Sequence, residues 1–268
     1  MRWNRVLGAA AAAAVICGAH DSAVTAQILD LARARVVDLT HAFDDTTLYW
    51  PTSPSAFRME RLAWGPTPGG YFYAAFALCT PEHGGTHLDA PLHFAEGAAS
   101  TADLPLDQLI APAVVIDVTR QAAASPSYRV VPEDVALFER EHGRIGPGTA
   151  VLIRTGWSRF WPDRKVYFGS DTPGDASNLR FPGIGAEAMR LIVEERRAAL
   201  VGIDTASIDY GPSSDFIAHR IGAARGVPNL ENLTNLAELP HRGAVLIALP
   251  MKIAGGSGGP VRVVALVP

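Results

Sequence analysis

The stretch that decides how this chain is interpreted reads His83-Gly84-Gly85-Thr86-His87-Leu88-Asp89-Ala90-Pro91-Leu92-His93. Three of the eight histidines of the chain lie within it, together with one aspartate and no cysteine. Packing does not require such a concentration of imidazoles. Imidazole and carboxylate donors suit a divalent metal of intermediate softness, such as zinc or manganese. The stretch therefore predicts a metal site.

The spacing within this stretch supports the same prediction. His87 and Asp89 are two positions apart, so on an extended segment their side chains share one face and can meet at one ion. The two glycines and Pro91 argue against a helix here. A turn at the glycines folds His83 back toward His87, and the bend at Pro91 directs His93 toward the same space. We expect a loop that enters a strand.

The composition predicts a globular enzyme of one domain. The chain has 268 residues, of which 48% are hydrophobic and 19% charged, which is ample material for a core. A net charge of -4 provides no basic surface for nucleic acid, so we expect no nucleic-acid partner.

The N-terminus has the pattern of a secretory signal peptide over residues 1–26. Arg2 and Arg5 precede an apolar run from Val6 to Cys17, and Val24-Thr25-Ala26 supplies small residues for cleavage. The run is too short to span a membrane, and no later segment is long enough, so we expect no membrane span. The predictions are export to the periplasm or beyond and a domain over residues 27–268. An uncleaved anchor is the alternative.

Apolar runs of strand length recur along the domain and alternate with segments of helical pattern, which indicates a mixed α/β fold. The predicted strands are Val36–Thr40, Tyr71–Cys79, Ala113–Val118, Ala150–Thr155, Ala199–Asp204, Ala244–Leu249 and Val261–Leu266. The predicted helices run from Pro132 toward Glu141, from Gly185 to Arg197, and from a cap at Ser213-Ser214-Asp215 to a stop at Gly226-Val227-Pro228.

The third predicted helix carries another histidine. Phe216, Ile217 and Ile221 form its apolar side, which would hold His219 near the buried face, and Glu231 follows shortly after the helix. Taken alone, His219 is better explained as a hydrogen-bonded, half-buried histidine, and Glu231 as a carboxylate at a helix start or a solvated side chain.

The stretch from residue 83 to residue 93 resembles the His-x-Gly-Thr-His-x-Asp-x-Pro-x-His signature of the cyclase family of metal-dependent hydrolases, which includes bacterial kynurenine formamidase and isatin hydrolase. The resemblance continues along nearly the whole predicted domain. The further matching segments are Gly202-Ile203-Asp204-Thr205-Ala206-Ser207-Ile208-Asp209, His219-Arg220, Glu231-Asn232-Leu233 and Leu249-Pro250-Met251-Lys252-Ile253.

The resemblance implies a metal held by His83, His87 and Asp89. Formamidase-like members hold two metals, to which His93, His219 and Glu231 would contribute. Isatin-hydrolase-like members hold one manganese, and the residue that matches His93 acts on the substrate. The longer segment between Arg154 and Phe181 resembles the second branch, whereas the retained Glu231 resembles the first. We therefore expect zinc or manganese, in one or two ions per chain.

The resemblance also implies a mixed sheet of the swivelling β/β/α type, a homo-oligomer (dimer or tetramer) and a small amide or lactam substrate, possibly aromatic. The chemistry fits the residues. A divalent ion lowers the pKa of its water and polarises a carbonyl. His93 can take the proton from the attacking water and return it to the leaving nitrogen, which describes C–N bond hydrolysis without a covalent intermediate.

Several alternatives remain beside this interpretation. A serine esterase would need a Gly-x-Ser-x-Gly elbow, which the chain lacks. An exported metal- or ligand-binding module without catalysis is the main alternative function. Asp204 and Asp209 are equally well explained as solvated acids or as carboxylates that orient ligand histidines. Four aromatic residues are candidates for a substrate pocket, although the core is the commoner place for such side chains: Trp50, Phe72, Tyr73 and Trp157.

Overall fold

A computed structural model of the protein describes residues 33–268. The predicted signal peptide, residues 1–26, lies outside the described residues. Within the described part of the chain, no helix has the length and apolar character needed to cross a membrane.

Residues 33–268 form twelve strands, which are numbered in chain order and include all seven that the sequence predicts. They are β1 (Arg35–Asp38), β2 (Arg58–Pro66), β3 (Phe72–Cys79), β4 (His87–Asp89), β5 (Ile110–Asp117), β6 (Arg129–Val130), β7 (Ala150–Arg154), β8 (Gly183–Ile184), β9 (Leu200–Ile203), β10 (Asn229–Glu231), β11 (Arg242–Pro250) and β12 (Gly258–Val267).

In the described part of the chain, six α-helices lie between the strands, and all three predicted helices are present among them. They are α1 (Leu106–Leu109), α2 (Thr119–Ala124), α3 (Pro132–His142), α4 (Arg164–Phe168), α5 (Ala186–Arg190) and α6 (Ile217–Ala224). A π-helical turn, Leu191–Glu195, continues α5, and 3-10 turns occupy Pro91–His93, Trp157–Phe160 and Leu236–Glu238. The predicted cap of α6 at Ser213-Ser214-Asp215 is wrong, because the helix begins after Phe216 and no side chain of that segment caps it.

One mixed sheet closes on itself and positions the signature. Its strand order is β1-β12-β11-β5-β7-β9-β10-β4, and β4 also pairs with β12, which closes a barrel of seven strands with β1 attached outside. Strands β5, β7, β9 and β10 are mutually parallel, and the other pairs are antiparallel. The predicted mixed α/β single domain is confirmed.

Two apolar layers lie on the two faces of this sheet, because alternate residues of a strand point in opposite directions. In β5, Ala113 and Val115 belong to the cluster inside the barrel, whereas Val114 and Ile116 belong to the cluster between the sheet and helices α3, α5 and α6. Burial on both faces explains why the parallel strands read as continuous apolar runs.

Candidate metal centre

Strand β4 carries the middle of the signature between two antiparallel neighbours. Glu231 of β10 pairs with His87, and Gly258 of β12 pairs with Asp89. The turn before β4 requires glycine at Gly85, where φ is 59° and an added Cβ would lie 2.5 Å from the ring of Phe43. This turn brings the preceding loop, which holds the first histidine of the signature, over the end of the strand.

The first three predicted ligands form one group. Nδ1 of His83 lies 2.6 Å from Oδ1 of Asp89, and Nε2 of His87 lies 3.2 Å from the same oxygen. One donor atom from each of the three residues lies within 4.8 Å of the others, a spacing that one metal ion can bridge. The structure therefore brings together the three residues that the sequence places on one ion.

A second group shares the same aspartate. Nε2 of His219 lies 3.2 Å from Oδ2 of Asp89 and 3.0 Å from Oε1 of Glu231, so Asp89 directs one oxygen to each group. Because Glu231 is the strand partner of His87, its other oxygen lies 3.5 Å from Nε2 of that histidine. The two groups together include five of the six predicted ligands.

The outer ring nitrogen of each of the three histidines is held by an acceptor. Nδ1 of His87 lies 3.0 Å from the carbonyl oxygen of Gly85, and Nδ1 of His219 lies 2.7 Å from Oδ2 of Asp209. Neither acceptor has a proton to give, so each Nδ1 carries one. The inner Nε2 of both rings is then free to bind a metal, which is the arrangement commonly found for histidine ligands.

The ring of His83 has the opposite orientation, with Nε2 as its outer nitrogen and Nδ1 toward the ligand groups. Its Nε2 lies 2.8 Å from the hydroxyl of Ser257, which donates its own proton to Glu82 at 2.6 Å. The serine therefore accepts from Nε2–H, and Nδ1 faces Asp89. The backbone of Gly258 passes so close that an added Cβ would lie 2.5 Å from the imidazole ring of His83.

The charges of the two ligand groups favour the binding of a cation. Burial alone would lower the pKa of His87, but the carboxylates of Asp89 and Glu231 outweigh it and raise that pKa to about 9. Burial likewise opposes a charged His219, yet hydrogen bonds to carboxylates including Asp209 raise its pKa well above its ordinary value. Against the effect of burial, the neighbouring histidines hold the pKa of Asp89 well below its usual range. The site therefore attracts positive charge strongly.

His93 lies beside the two groups and belongs to neither of them. It ends the 3-10 turn that begins at the signature proline, Pro91, and its ring stacks on that of His83 with 3.7 Å between centroids. Burial lowers the pKa of His93 to about 4, so its ring is neutral at physiological pH. His93, the sixth of the predicted ligands, therefore lies at the site and has an unprotonated ring nitrogen.

A largely apolar cavity of about 420 Å³ opens above these groups. Its walls include Leu48, Trp50, Phe94, Phe168 and Phe216. No lysine or arginine lines it among the described residues. Phe216 has φ of 49°, a rare conformation for a bulky residue, and its ring centroid lies 6.0 Å from that of Trp50. The cavity suits a flat, uncharged molecule.

The other three aromatic candidates for a substrate pocket lie elsewhere in the structure. Trp157 is buried in the apolar cluster that also contains the cavity-wall residues Leu48 and Phe168, but it does not itself line the cavity. Phe72 and Tyr73 are exposed on the β2–β3 hairpin and do not line it either. Asp204 accepts hydrogen bonds from the Thr155–Gly156 turn rather than from a histidine of the site. His41 stacks on Trp161, with 4.3 Å between the ring centroids.

Sequence reasoning missed three of the side chains that hold the site in place. Ser257 was part of a glycine-rich run that reads as a turn, and Glu82 precedes the signature by one residue. Asn232 also braces the signature, because its side chain donates to the carbonyl oxygen of Gly85 at 2.7 Å and accepts from the hydroxyl of Tyr167 at 2.9 Å. The motif Glu231-Asn232-Leu233 was the available signal for the last of these.

The donor set fits a divalent metal. Three imidazole nitrogens and the oxygens of two buried carboxylates face one another, and each of the three rings is fixed through its outer nitrogen. Nitrogen and carboxylate donors together suit zinc or manganese rather than the all-oxygen sites of calcium.

Comparison with known proteins shows which family this chain belongs to. The profile of a family described as putative cyclase matches residues 37–210. Isatin hydrolase from Roseibium aggregatum is 34% identical over 207 residues, which cover 74% of this chain and 77% of that protein. Kynurenine formamidase from Salinibacter ruber is 31% identical over 229 residues, covering 85% and 96% of the two chains. A crystal structure of an isatin hydrolase bound to the product analogue thioisatinate superposes with a TM-score of 0.81 at 29% identity, covering 88% of this chain and 94% of that one. The predicted resemblance is confirmed: this chain belongs to the cyclase family.

Proposed function

We propose that this protein hydrolyses an amide or lactam C–N bond with one or two divalent metal ions, zinc or manganese. One observation carries the proposal: three imidazole nitrogens and two carboxylates converge on the floor of an apolar cavity. A divalent ion supplies, when bound, a water of lowered pKa and a Lewis acid for the substrate carbonyl.

His83, His87 and Asp89 are the proposed ligands of one ion. The second group, with His219 and Glu231, holds a second ion in the two-metal arrangement. The shared carboxylate of Asp89 supports the two-metal arrangement, because it directs one oxygen to each group. In the one-metal arrangement the second group fixes that carboxylate.

His93 is the proposed general base, with a second metal ligand as its alternative role. Its neutral ring lines the cavity and belongs to neither ligand group, so a nitrogen is available to take a proton from the attacking water and to return it to the leaving nitrogen. The stacking on His83 keeps the ring at this place.

The substrate is proposed to be a neutral aromatic amide, with a lactam fused to an aromatic ring as the best fit. Burying an unpaired carboxylate or ammonium group is costly, and the described wall offers no lysine or arginine to compensate a carboxylate. An aromatic ring can instead pack against the wall that Trp50 and Phe216 form. This argument favours isatin over N-formylkynurenine, whose amino-acid end is charged.

The test is turnover by protein that has been stripped with a chelator and reloaded with Mn(II) or Zn(II). We expect metal-dependent opening of isatin and slower cleavage of N-formylkynurenine. The variant H87A/D89A should lose metal and activity together, whereas H241A, which removes an exposed histidine, should keep both. Metal retained stoichiometrically by the double variant would contradict the ligand assignment. Metal and isatin bound without turnover would favour a binding module.

We also propose export, with cleavage after Ala26, and assembly into a homo-oligomer. The first is supported by the charged, apolar and small-residue regions of residues 1–26, and the second by the sequence resemblance. N-terminal sequencing of the secreted protein should begin at or near Gln27. A full-length cytoplasmic product in the native host would contradict export.

A further inference from the structure

The wall of the cavity contains a small set of hydroxyl and amide side chains that are neither proposed metal ligands nor the proposed base. Among the described residues these are Thr52, Ser53, Ser207 and Asn232. Thr52 is exposed, and the hydroxyl of Ser53 donates to the carbonyl oxygen of Ser55 at 2.8 Å. The two buried members of the set are Ser207 and Asn232. Because buried polar groups need partners, the hydrogen bonds of these two side chains determine what the cavity can recognise.

The amide of Asn232 is engaged by the protein. Its Nδ2 donates to the carbonyl oxygen of Gly85 at 2.7 Å, and its Oδ1 accepts from the hydroxyl of Tyr167 at 2.9 Å. Both bonds are buried, and they hold the side chain against the turn that precedes β4. Asn232 therefore supports the signature rather than a molecule in the cavity.

The hydroxyl of Ser207 has a proton left to donate. Its Oγ accepts from the backbone N–H of Asp209 at 3.2 Å, and the backbone carbonyl oxygen of Ser207 accepts from the hydroxyl of Thr205 at 2.8 Å. A serine hydroxyl can donate one proton in addition to accepting. No described residue accepts this proton, although Ser207 is only 3% exposed. Since a buried donor without an acceptor is destabilising, the proton is suited to a molecule bound in the cavity.

Ser207 also lies directly beside the second ligand group. The backbone N–H of the next residue, Ile208, donates to Oε1 of Glu231 at 2.8 Å. Asp209, one residue further on, holds the ring of His219 through a bond of 2.7 Å. A substrate whose attacked carbonyl faces the metal groups therefore brings the neighbouring atoms of its ring toward this serine.

We infer that the hydroxyl of Ser207 donates a hydrogen bond to a second carbonyl oxygen of the substrate, next to the carbonyl that is attacked. Isatin carries such a ketone beside its lactam carbonyl, so Ser207 is a specificity-determining residue for 1,2-dicarbonyl lactams. The inference rests on the proposed function for the identity of the attacked bond. A neutral donor suits a ketone oxygen, whereas a carboxylate would lack a counter-charge, because no described lysine or arginine lines the cavity.

Two ligands without a C–N bond test the inference on the metal-loaded full chain. Indane-1,2-dione and 2-indanone are the carbocyclic analogues of isatin and of its relative without the ketone, and they differ from each other only in that ketone. Equilibrium dialysis gives both dissociation constants without turnover. The wild type should prefer the dione. S207A should weaken binding of the dione about 5–100-fold, as expected for the loss of one buried hydrogen bond, and should change binding of 2-indanone less than about twofold.

The matched control is S53A, which removes a wall hydroxyl whose proton is already donated to Ser55. It should keep the wild-type ratio of the two dissociation constants. If S207A does not fold, S207C keeps the shape of the side chain with a much weaker donor, and it should lose most of the preference for the dione. Metal content and circular dichroism of each variant should match the wild type.

Three results would overturn the inference. The first is a wild type that binds neither ligand or shows no preference for the dione. The second is a folded S207A, or S207C in its place, with an unchanged ratio. The third is an equal loss of affinity for both ligands, which would indicate a purely structural role for the serine. Failure of the proposed function gives a different result, because a protein that does not open isatin would still show the effect of S207A on the dione.

Discussion

Oδ2 of Asp209 accepts two hydrogen bonds from His219, one from the backbone N–H at 3.1 Å and one from Nδ1–H at 2.7 Å. Its Oδ1 accepts the backbone N–H of Ala218 at 2.9 Å. A carboxylate from outside the helix thus satisfies the free donors of the first turn of α6, which explains why the nearer polar residues do not cap it. The same carboxylate fixes the ring that faces the metal groups.

Replacing Asp209 with asparagine should weaken metal binding at the second group. Asparagine keeps one acceptor oxygen for the three donors of α6, so the imidazole of His219 loses its fixed orientation and part of its basicity. We expect the affinity for metal to fall about 10–100-fold, measured by titration with a fluorescent competitor. The control D215N changes an exposed acid near the same helix and should bind as the wild type. Unchanged affinity in D209N would contradict the orienting role.

Metal binding should release protons at neutral pH. The pKa of His87 is raised to about 9 in the protein without metal, so this ring is protonated at pH 7 and must lose its proton to become a ligand. Calorimetric titration at pH 7 in two buffers of different ionisation enthalpy should show the release of at least one proton per chain. Apparent affinity should rise with pH, about tenfold per unit for each displaced proton, and level off near pH 9.

The variant H241A is the control for this experiment, because it removes a histidine that lies outside both ligand groups. It should release the same number of protons as the wild type. Affinity that is independent of pH between 6 and 9 would show that the carboxylates do not hold a proton on His87, and it would contradict the electrostatic description of the site.

Much of the barrel could be predicted from the sequence, because its long strands are apolar runs. The short strands could be predicted only in part, because the signature indicates an extended segment at β4 but no local pattern indicates β10 or the partners of β4. His87–Asp89 and Asn229–Glu231 are polar, three-residue strands, and they exist because β4 pairs with β10 and β12. These pairings join segments that are more than 100 residues apart, so no local pattern reveals them. The closure of the barrel depends on them.

The candidate site was largely predictable, since the signature fixes three of its residues by spacing alone. His219 and Glu231 needed the family resemblance, because each has an ordinary structural explanation by itself. The residues that hold the ligand side chains in place could not be predicted from the sequence. Ser257 contacts His83 from a segment 174 residues further along the chain, and its neighbourhood of glycines indicates only a turn.

Replacing Trp50 with alanine should reduce affinity for aromatic substrates without loss of metal. The indole lines the cavity and packs near the rings of Phe168, Phe181 and Phe216. Losing this wall should raise KM for isatin about 10–100-fold, as expected for removing the contact area of one large aromatic side chain. An aliphatic lactam of similar length is the matched probe, and its KM should change less. Equal effects on both substrates would indicate a general loss of structure instead.

Replacing His93 with alanine should show whether this residue acts as a general base or as a metal ligand. His93 stacks on His83 and lies outside both ligand groups, and burial holds its pKa near 4, so a neutral nitrogen is available throughout the physiological range. A base of this kind contributes about 10²–10⁴-fold to turnover. We therefore expect H93A to fold, to keep at least one metal equivalent and to lose kcat by that factor. Because the wild-type group protonates only near pH 4, no loss of activity between pH 6 and 7 should arise from it. Elemental analysis completes the test, since release of a second equivalent would identify His93 as a ligand, and near wild-type turnover would exclude both roles.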